Sequence, residues 1–109
     1  MKIPFNKTRF FDQTTFNGNS YLDKKDGKGF DVFTVHCLSR HPKHKLSGAS
    51  RVYFIIEGSG TFTVNDAKEA ADQFDLFLVE NGDTFEYEGD MKLFSFTILT
   101  DSSNEEKLE

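Results

Sequence analysis

The sequence of 109 residues has no tryptophan, only two prolines and a single cysteine. Because one cysteine (Cys37) cannot form an internal disulfide, the chain fits a reducing compartment, and we expect a cytoplasmic protein. No stretch has the length and apolarity of a membrane span, and the residues after Met1 lack the apolar core of a secretory signal. These absences argue against a disulfide-stapled secreted domain and predict no membrane partner.

Positive charge is also scarce: 13 Lys and Arg against 18 Asp and Glu give a net charge of -5 at pH 7. Nucleic-acid binding favours a basic surface, so no nucleic-acid partner is predicted. Phenylalanine, in contrast, is abundant, with 13 Phe beside 3 Tyr. Rings of this size dominate core energetics. The composition predicts a β-rich domain with a phenylalanine-packed core, with some rings left for a ligand cavity or a dimer face.

Runs of β-branched and aromatic residues are short and are separated by turn residues, which is typical of β-strands. The clearest pair forms a hairpin over residues 51–65, with the turn Glu57-Gly58-Ser59-Gly60 between its strands. Further strands are predicted over residues 30–38, 74–79, 85–88 and 91–99, and residues 17–20 are predicted to be a turn. Many short strands without a convincing helix indicate an antiparallel sandwich or barrel.

Two of these segments resemble the cupin superfamily, whose barrel is an antiparallel double-stranded β-helix, or jelly roll. Residues 51–64 are similar to the family's hairpin, E-V-Y-Y-V-L-E-G-x-G-x-F-x-V. Residues 74–89 are similar to its second motif, G-D-x-x-x-I-P-x-G-x-x-H-x-x-x-N, with Asp75, Gly82 and Gly89 in register. The resemblance, which covers residues 30–99, implies an all-β fold with one barrel domain over residues 1–100. Residues 1–29 would add N-terminal strands, and residues 101–109 would be a polar, disordered tail.

The sequence departs from the cupin motifs at the metal ligands. The resemblance puts Arg51 at the family's glutamate position and Phe85 at the histidine of the second motif. The two histidines of the first motif fall on Lys45 and Ser47, or one residue earlier. A cation or a phenyl ring offers no lone pair to a divalent metal. We therefore predict no metal site and no cofactor.

The resemblance also implies that these positions point into the barrel. Strand alternation then adds Tyr53 and Tyr87 to the inner face. A cavity with cations, phenolic hydroxyls and aromatic walls suits a small carbohydrate-like or anionic metabolite. The predicted ligand-binding residues are Arg51, Tyr53, Phe85, Tyr87, Lys45, Ser47 and His36.

Other functions stay open at this point, and no catalytic residue is assigned. A sugar isomerase or epimerase of the cupin type would use Tyr53 or Tyr87 as general acid and a histidine such as His36 as base. A structural or interaction protein would instead have its barrel filled by side chains. His41 and His44 are predicted to lie in a solvated basic loop over residues 39–50, because Pro42 argues against a regular element there.

A homodimer is the predicted assembly, because the resemblance implies dimers formed by strand exchange or sheet packing. The aromatic residues of the N-terminal third could supply the contact. They are Phe5, Phe10, Phe11 and Phe16.

Overall fold

The computed structural model describes residues 1–100 and the backbone of the strand Glu105–Leu108. The strands of these residues are β1 Arg9–Asp12, β2 Phe16–Leu22, β3 Phe30–Cys37, β4 Arg40–Ser47, β5 Ala49–Gly58, β6 Gly60–Val64, β7 Ala67–Ala71, β8 Leu76–Val79, β9 Thr84–Glu88, β10 Met91–Leu99 and β11 Glu105–Leu108. Two short 3-10 helices, Phe5–Lys7 and Lys24–Asp26, precede β1 and β3. No helix in this part of the chain could cross a membrane.

The strands form two antiparallel sheets that face each other. Sheet A has the strand order β1-β2-β3-β10-β5-β8, and sheet B has the order β11-β4-β9-β6-β7. Side chains alternate between a buried inner face and a more exposed outer face along β5 and β10, as expected for sheets that share one core. The predicted all-β jelly-roll barrel is therefore confirmed.

Strand pairing arranges the inner side chains of sheet A in rows that run across the strands. One row contains Ser20, Phe33, Ser95 and Tyr53, and the next contains Asp31, Thr97, Arg51 and Val79. Most residues of these two rows carry polar groups, whereas the closed part of the barrel is packed with apolar residues such as Leu46, Ile55, Phe62 and Leu93. All four residues of the first row, and Arg51 of the second, line an unfilled part of the interior.

The predicted turn at residues 17–20 is wrong, because these residues lie in the middle of β2. Gly18 is needed there for close packing rather than for a turn. A Cβ on Gly18 would lie 2.2 Å from the carbonyl oxygen of Thr34 and 2.6 Å from the ring of Phe11. The missing side chain lets the Phe11 ring lie across β2.

The prediction of a solvated loop over residues 39–50 is also wrong, because this segment forms β4 and the start of β5. Within the segment predicted to be a polar tail, Glu105–Leu108 forms β11, which pairs with β4. Residues 101–104 and 109 lie outside the described residues. The added strand β11 extends sheet B beyond β4.

The outer face of sheet A has an apolar patch that extends across four adjacent strands. The polar residues Thr34, His36, Ser50 and Lys92 share this face. Its apolar side chains are Phe30, Val32, Val52, Phe54, Ile56, Leu76, Leu78, Phe94, Phe96 and Ile98. Of the N-terminal aromatics predicted to form a dimer contact, Phe11 and Phe16 face the interior cavity described below, as does part of Phe10. The homodimer stays a prediction, and we expect the copies to meet on this outer face.

Glutamate at Ile98 or Leu78 should abolish such a dimer, because each side chain is about half exposed and a charge there would be buried by the partner copy. Light scattering across a concentration series measures the mass. Leu38→Glu is the matched control, since Leu38 is similarly exposed but lies beyond the end of β3. A wild-type monomer at the highest concentration would contradict the prediction.

Candidate functional site

A cavity of about 770 Å³ lies between the two sheets. Its wall has two chemically different parts. One part is polar and contains His41, His44, Arg51, Tyr53, Tyr87 and Ser95. The other part, from the N-terminal strands, is aromatic and contains Phe10, Phe11, Phe16 and Phe33. A cavity of this volume and mixed lining is typical of small-molecule sites.

A β-bulge in β4 brings both histidines into the cavity. Pairing with β9 joins His41 to Tyr87 and His44 to Phe85, so three steps along β4 match two along β9. In a regular strand, residues three apart point to opposite faces. The extra residue at the bulge turns the His44 ring to the same face of β4 as the His41 ring. Pro42, which lacks an N–H, lies within the bulge.

Hydrogen bonds fix the tautomers of both histidines. The Nδ1 atoms of His41 and His44 lie 2.8 and 2.9 Å from the carbonyl oxygen of Pro42. A carbonyl only accepts, so each Nδ1 carries a proton and donates it. In a neutral ring the lone pair is then on Nε2.

His41 is neutral at physiological pH. Its ring is 4% exposed and stacks on Tyr87 and Phe85, with centroid distances of 4.8 and 5.3 Å. Burial lowers the pKa of His41 to about 4, helped by the nearby positive charge of Arg51 and opposed by the bond to Pro42. Burial also lowers the pKa of His44. His41 thus presents a neutral ring with a basic nitrogen to the cavity.

Arg51 contacts Tyr53 in the polar wall and is held in place by Thr97. Its Nε donates to Thr97 Oγ1 at 2.7 Å, and its Nη1 donates to the hydroxyl of Tyr53 at 3.1 Å. The guanidinium carbon lies 5.7 Å from the ring centre of Tyr53 and 5.9 Å from that of Phe85. The Arg51 side chain, with the residue 6% exposed, therefore lies against two aromatic rings and beside the Tyr53 hydroxyl.

The hydroxyl of Tyr87 is buried and makes no hydrogen bond of good geometry among the described residues, although the Tyr53 side chain lies beside it. Burial raises the pKa of Tyr87 well above its usual value, and the neighbouring Tyr53 raises it further. Tyr87 therefore keeps its proton and can donate it to a ligand oxygen. A buried donor in this state carries a desolvation cost until a ligand or water satisfies it.

The structure places the seven predicted ligand-binding residues in three groups. Arg51, Tyr53 and Tyr87 line the cavity. Phe85 is buried directly behind His41 and Tyr53. The remaining three do not line it: Lys45 is exposed, Ser47 lies at the end of β4, and His36 lies on the outer face of β3 with its Nε2 3.0 Å from Asp90 Oδ1.

Strand alternation explains these differences. The bulge shifts the alternation of β4 so that His44 and Leu46 point inward, and Lys45 points away. On β3, Val35 and Cys37 are buried, so His36 between them faces outward. Sequence reasoning missed His41 and His44 as cavity residues. The available signal was Pro42 inside a segment that continues as a strand, because a strand proline marks an edge or a bulge.

The residues present do not fit the divalent metal of typical cupins. At the inward-facing ligand positions stand His44, Leu46, Arg51 and Phe85, and only the histidine has a suitable donor. Among residues 1–100 no three His, Cys, Asp or Glu side chains come together as a possible metal cluster. The buried charge of Arg51 would also repel a cation at this place.

No protein-family model and no curated protein matches the sequence. Solved structures do match the fold. Streptomyces Pac13, described as a nucleoside dehydratase, is similar over 100% of this chain and 93% of its own, with a TM-score of 0.83 at 17% identity. Two tyrosine-to-phenylalanine variants and one histidine-to-glutamine variant of Pac13 were solved with uridine.

Two further structures show the same fold at low identity. KdgF from Halomonas matches 93% of this chain and 94% of its own, with a TM-score of 0.78 at 7% identity. The cupin domain of Schizosaccharomyces pombe Cnp3 matches 91% of this chain and 73% of its own, with a TM-score of 0.72 at 15% identity. The likeness establishes the cupin fold for this chain.

The buried neutral His41 should make stability depend on pH. Because its folded pKa is about 4 and the unfolded value is about 6.5, the unfolded chain binds more protons between these values, so stability falls as pH drops through this window. From pH 7 to pH 5 this residue alone should cost roughly 2 kcal/mol. Urea unfolding of the wild type and of His41→Gln at both pH values measures the difference. An equal pH dependence in both proteins would contradict the assignment.

Proposed function

We propose that this chain, which has the cupin fold, binds a nucleoside-like molecule in its barrel and removes water from it by acid–base catalysis. One observation carries the proposal: a neutral histidine, His41, and two phenols, Tyr53 and Tyr87, converge on one cavity beside a buried arginine. General acid–base chemistry needs such groups within reach of one substrate. Ribose also belongs to the carbohydrate-like ligands that the sequence predicts.

The likeness to Pac13 supports this choice of substrate and reaction. That protein is described as a nucleoside dehydratase, and its variants solved with uridine replace two tyrosines and one histidine. The cavity of this chain presents the same residue types, with Tyr53 from sheet A and Tyr87 and His41 from sheet B. A barrel filled by side chains, the structural alternative, does not agree with a cavity of about 770 Å³.

Loss of water from a sugar ring requires one base and one acid. In the proposed reaction Nε2 of His41 takes a proton from carbon, the C–H electron pair forms the new C=C bond, and the neighbouring C–O bond breaks. A carbonyl next to the carbon that loses its proton makes this step possible for a weak base. The leaving oxygen accepts a proton and departs as water, and the histidinium then returns its proton to the acid.

Tyr53 is the better placed general acid. Arg51 Nη1 donates to the Tyr53 oxygen, so the hydroxyl proton of Tyr53 remains available, and the guanidinium charge stabilises the phenolate that forms. Tyr87 keeps its proton because burial raises its pKa, so it is suited to donate a hydrogen bond to a substrate oxygen that gains charge. His36, which the sequence offered as base, faces away from these groups.

Single substitutions test these roles. His41→Gln and Tyr53→Phe should lower kcat by about 10² to 10⁴-fold, the usual contribution of a general base or acid. Tyr87→Phe should lower kcat less, because it removes one hydrogen bond to developing charge. Mass spectrometry for loss of water, on nucleosides whose ribose carries a carbonyl, measures turnover.

His36→Gln is the matched control and should keep wild-type turnover, since His36 lies on the outer face. A shift in melting temperature with uridine reports binding separately from turnover. The proposal fails if the wild type neither binds uridine nor dehydrates any of the tested nucleosides whose ribose carries a carbonyl. The assigned roles fail if His41→Gln turns over as fast as His36→Gln.

A further inference from the structure

Two buried hydroxyls on opposite sheets face the same cavity without a hydrogen-bond partner among the described residues. One is Tyr87 on β9, used above, and the other is Ser20 on β2, which is 7% exposed. The large majority of buried side-chain polar atoms in folded proteins have a hydrogen-bond partner, from the protein or from ordered water. An orphaned hydroxyl on a cavity wall therefore marks a place where a bound molecule supplies the missing bond.

The distance between Ser20 and the proton-transfer groups is set by the sheet. Ser20 pairs with Phe33, Phe33 with Ser95, and Ser95 with Tyr53, so the row spans three strand spacings. At about 4.8 Å per spacing, the backbones of Ser20 and Tyr53 are roughly 14 Å apart. With side chains reaching inward, this separation suits an elongated ligand whose ends differ in chemistry.

The wall around Ser20 is built for a flat apolar group. Phe11 and Phe33 line the cavity with ring centres 5.9 Å apart and planes inclined by 57°. Gly18 makes this possible, since any side chain there would strike the Phe11 ring. Flat heteroaromatic rings pack well on such surfaces, and their edges require hydrogen bonds.

We propose that Ser20, Phe11 and Phe33 form a base subsite, in which the rings pack on the nucleobase and the Ser20 hydroxyl bonds to its edge. This inference rests on the proposed function, in which the ligand is a nucleoside with its ribose beside His41 and Tyr53. A hydroxyl both donates and accepts, so Ser20 can meet either a carbonyl or an N–H of a pyrimidine. Ser20 is thus a positioning and specificity residue and takes no part in proton transfer.

Titration calorimetry with uridine and with free ribose tests the subsite. Ser20→Ala should weaken uridine binding about threefold to tenfold, the effect of one neutral hydrogen bond, and Phe33→Leu should weaken it about tenfold through lost stacking. Ser20→Thr, which keeps the hydroxyl, should restore most of the affinity. Ribose binding should be unchanged in all three variants, and Ser20→Ala should raise KM with little change in kcat.

Ser50→Ala is the matched control, because Ser50 lies on the outer face of sheet A opposite Ile98. If the wild type binds uridine but Ser20→Ala and Phe33→Leu bind it as tightly as Ser50→Ala does, the subsite is wrong while the proposed function stands. If the wild type binds no uridine at all, the proposed function fails and this inference with it.

Discussion

The β-bulge at Pro42 is the constraint on which the candidate site depends. It puts His41 and His44 on the same face of β4, where the Pro42 carbonyl accepts a hydrogen bond from each ring. One backbone group thereby fixes two tautomers. Without the extra residue, His41 and His44 would point to opposite faces of β4, and only one of the two rings would face the cavity.

Burial of polar and charged side chains costs free energy of folding, and their contacts in the interior show how the fold offsets this cost. Arg51 is buried but donates to Thr97 and Tyr53 and lies against aromatic faces. Asp31, in the same row, keeps one carboxylate oxygen without a partner among the described residues, and burial raises its pKa. Such unsatisfied groups are tolerated in native proteins mainly at functional sites. The aromatic core beneath them supplies the apolar burial that offsets this cost.

The sequence was sufficient for the fold and for half of the polar wall. Strand alternation along β5 and β9 is regular, so Arg51 and Tyr53 could be assigned to the interior from the hairpin motif, and Tyr87 from the second motif. The histidines could not, because a bulge breaks the alternation and leaves only Pro42 as its sign. The turn predicted at Gly18 was wrong for a related reason. Glycine occurs both in turns and where elements pack closely, and only the position of the Phe11 ring distinguishes the two cases.

A structure of the protein with uridine bound would test the central claim most directly. The account predicts that the ribose lies within hydrogen-bonding distance of His41 Nε2 and of the Tyr53 and Tyr87 hydroxyls. It also predicts the base against Phe11 and Phe33 with an edge on Ser20. Uridine bound outside this cavity, or inside it with the ribose away from His41, would contradict the account.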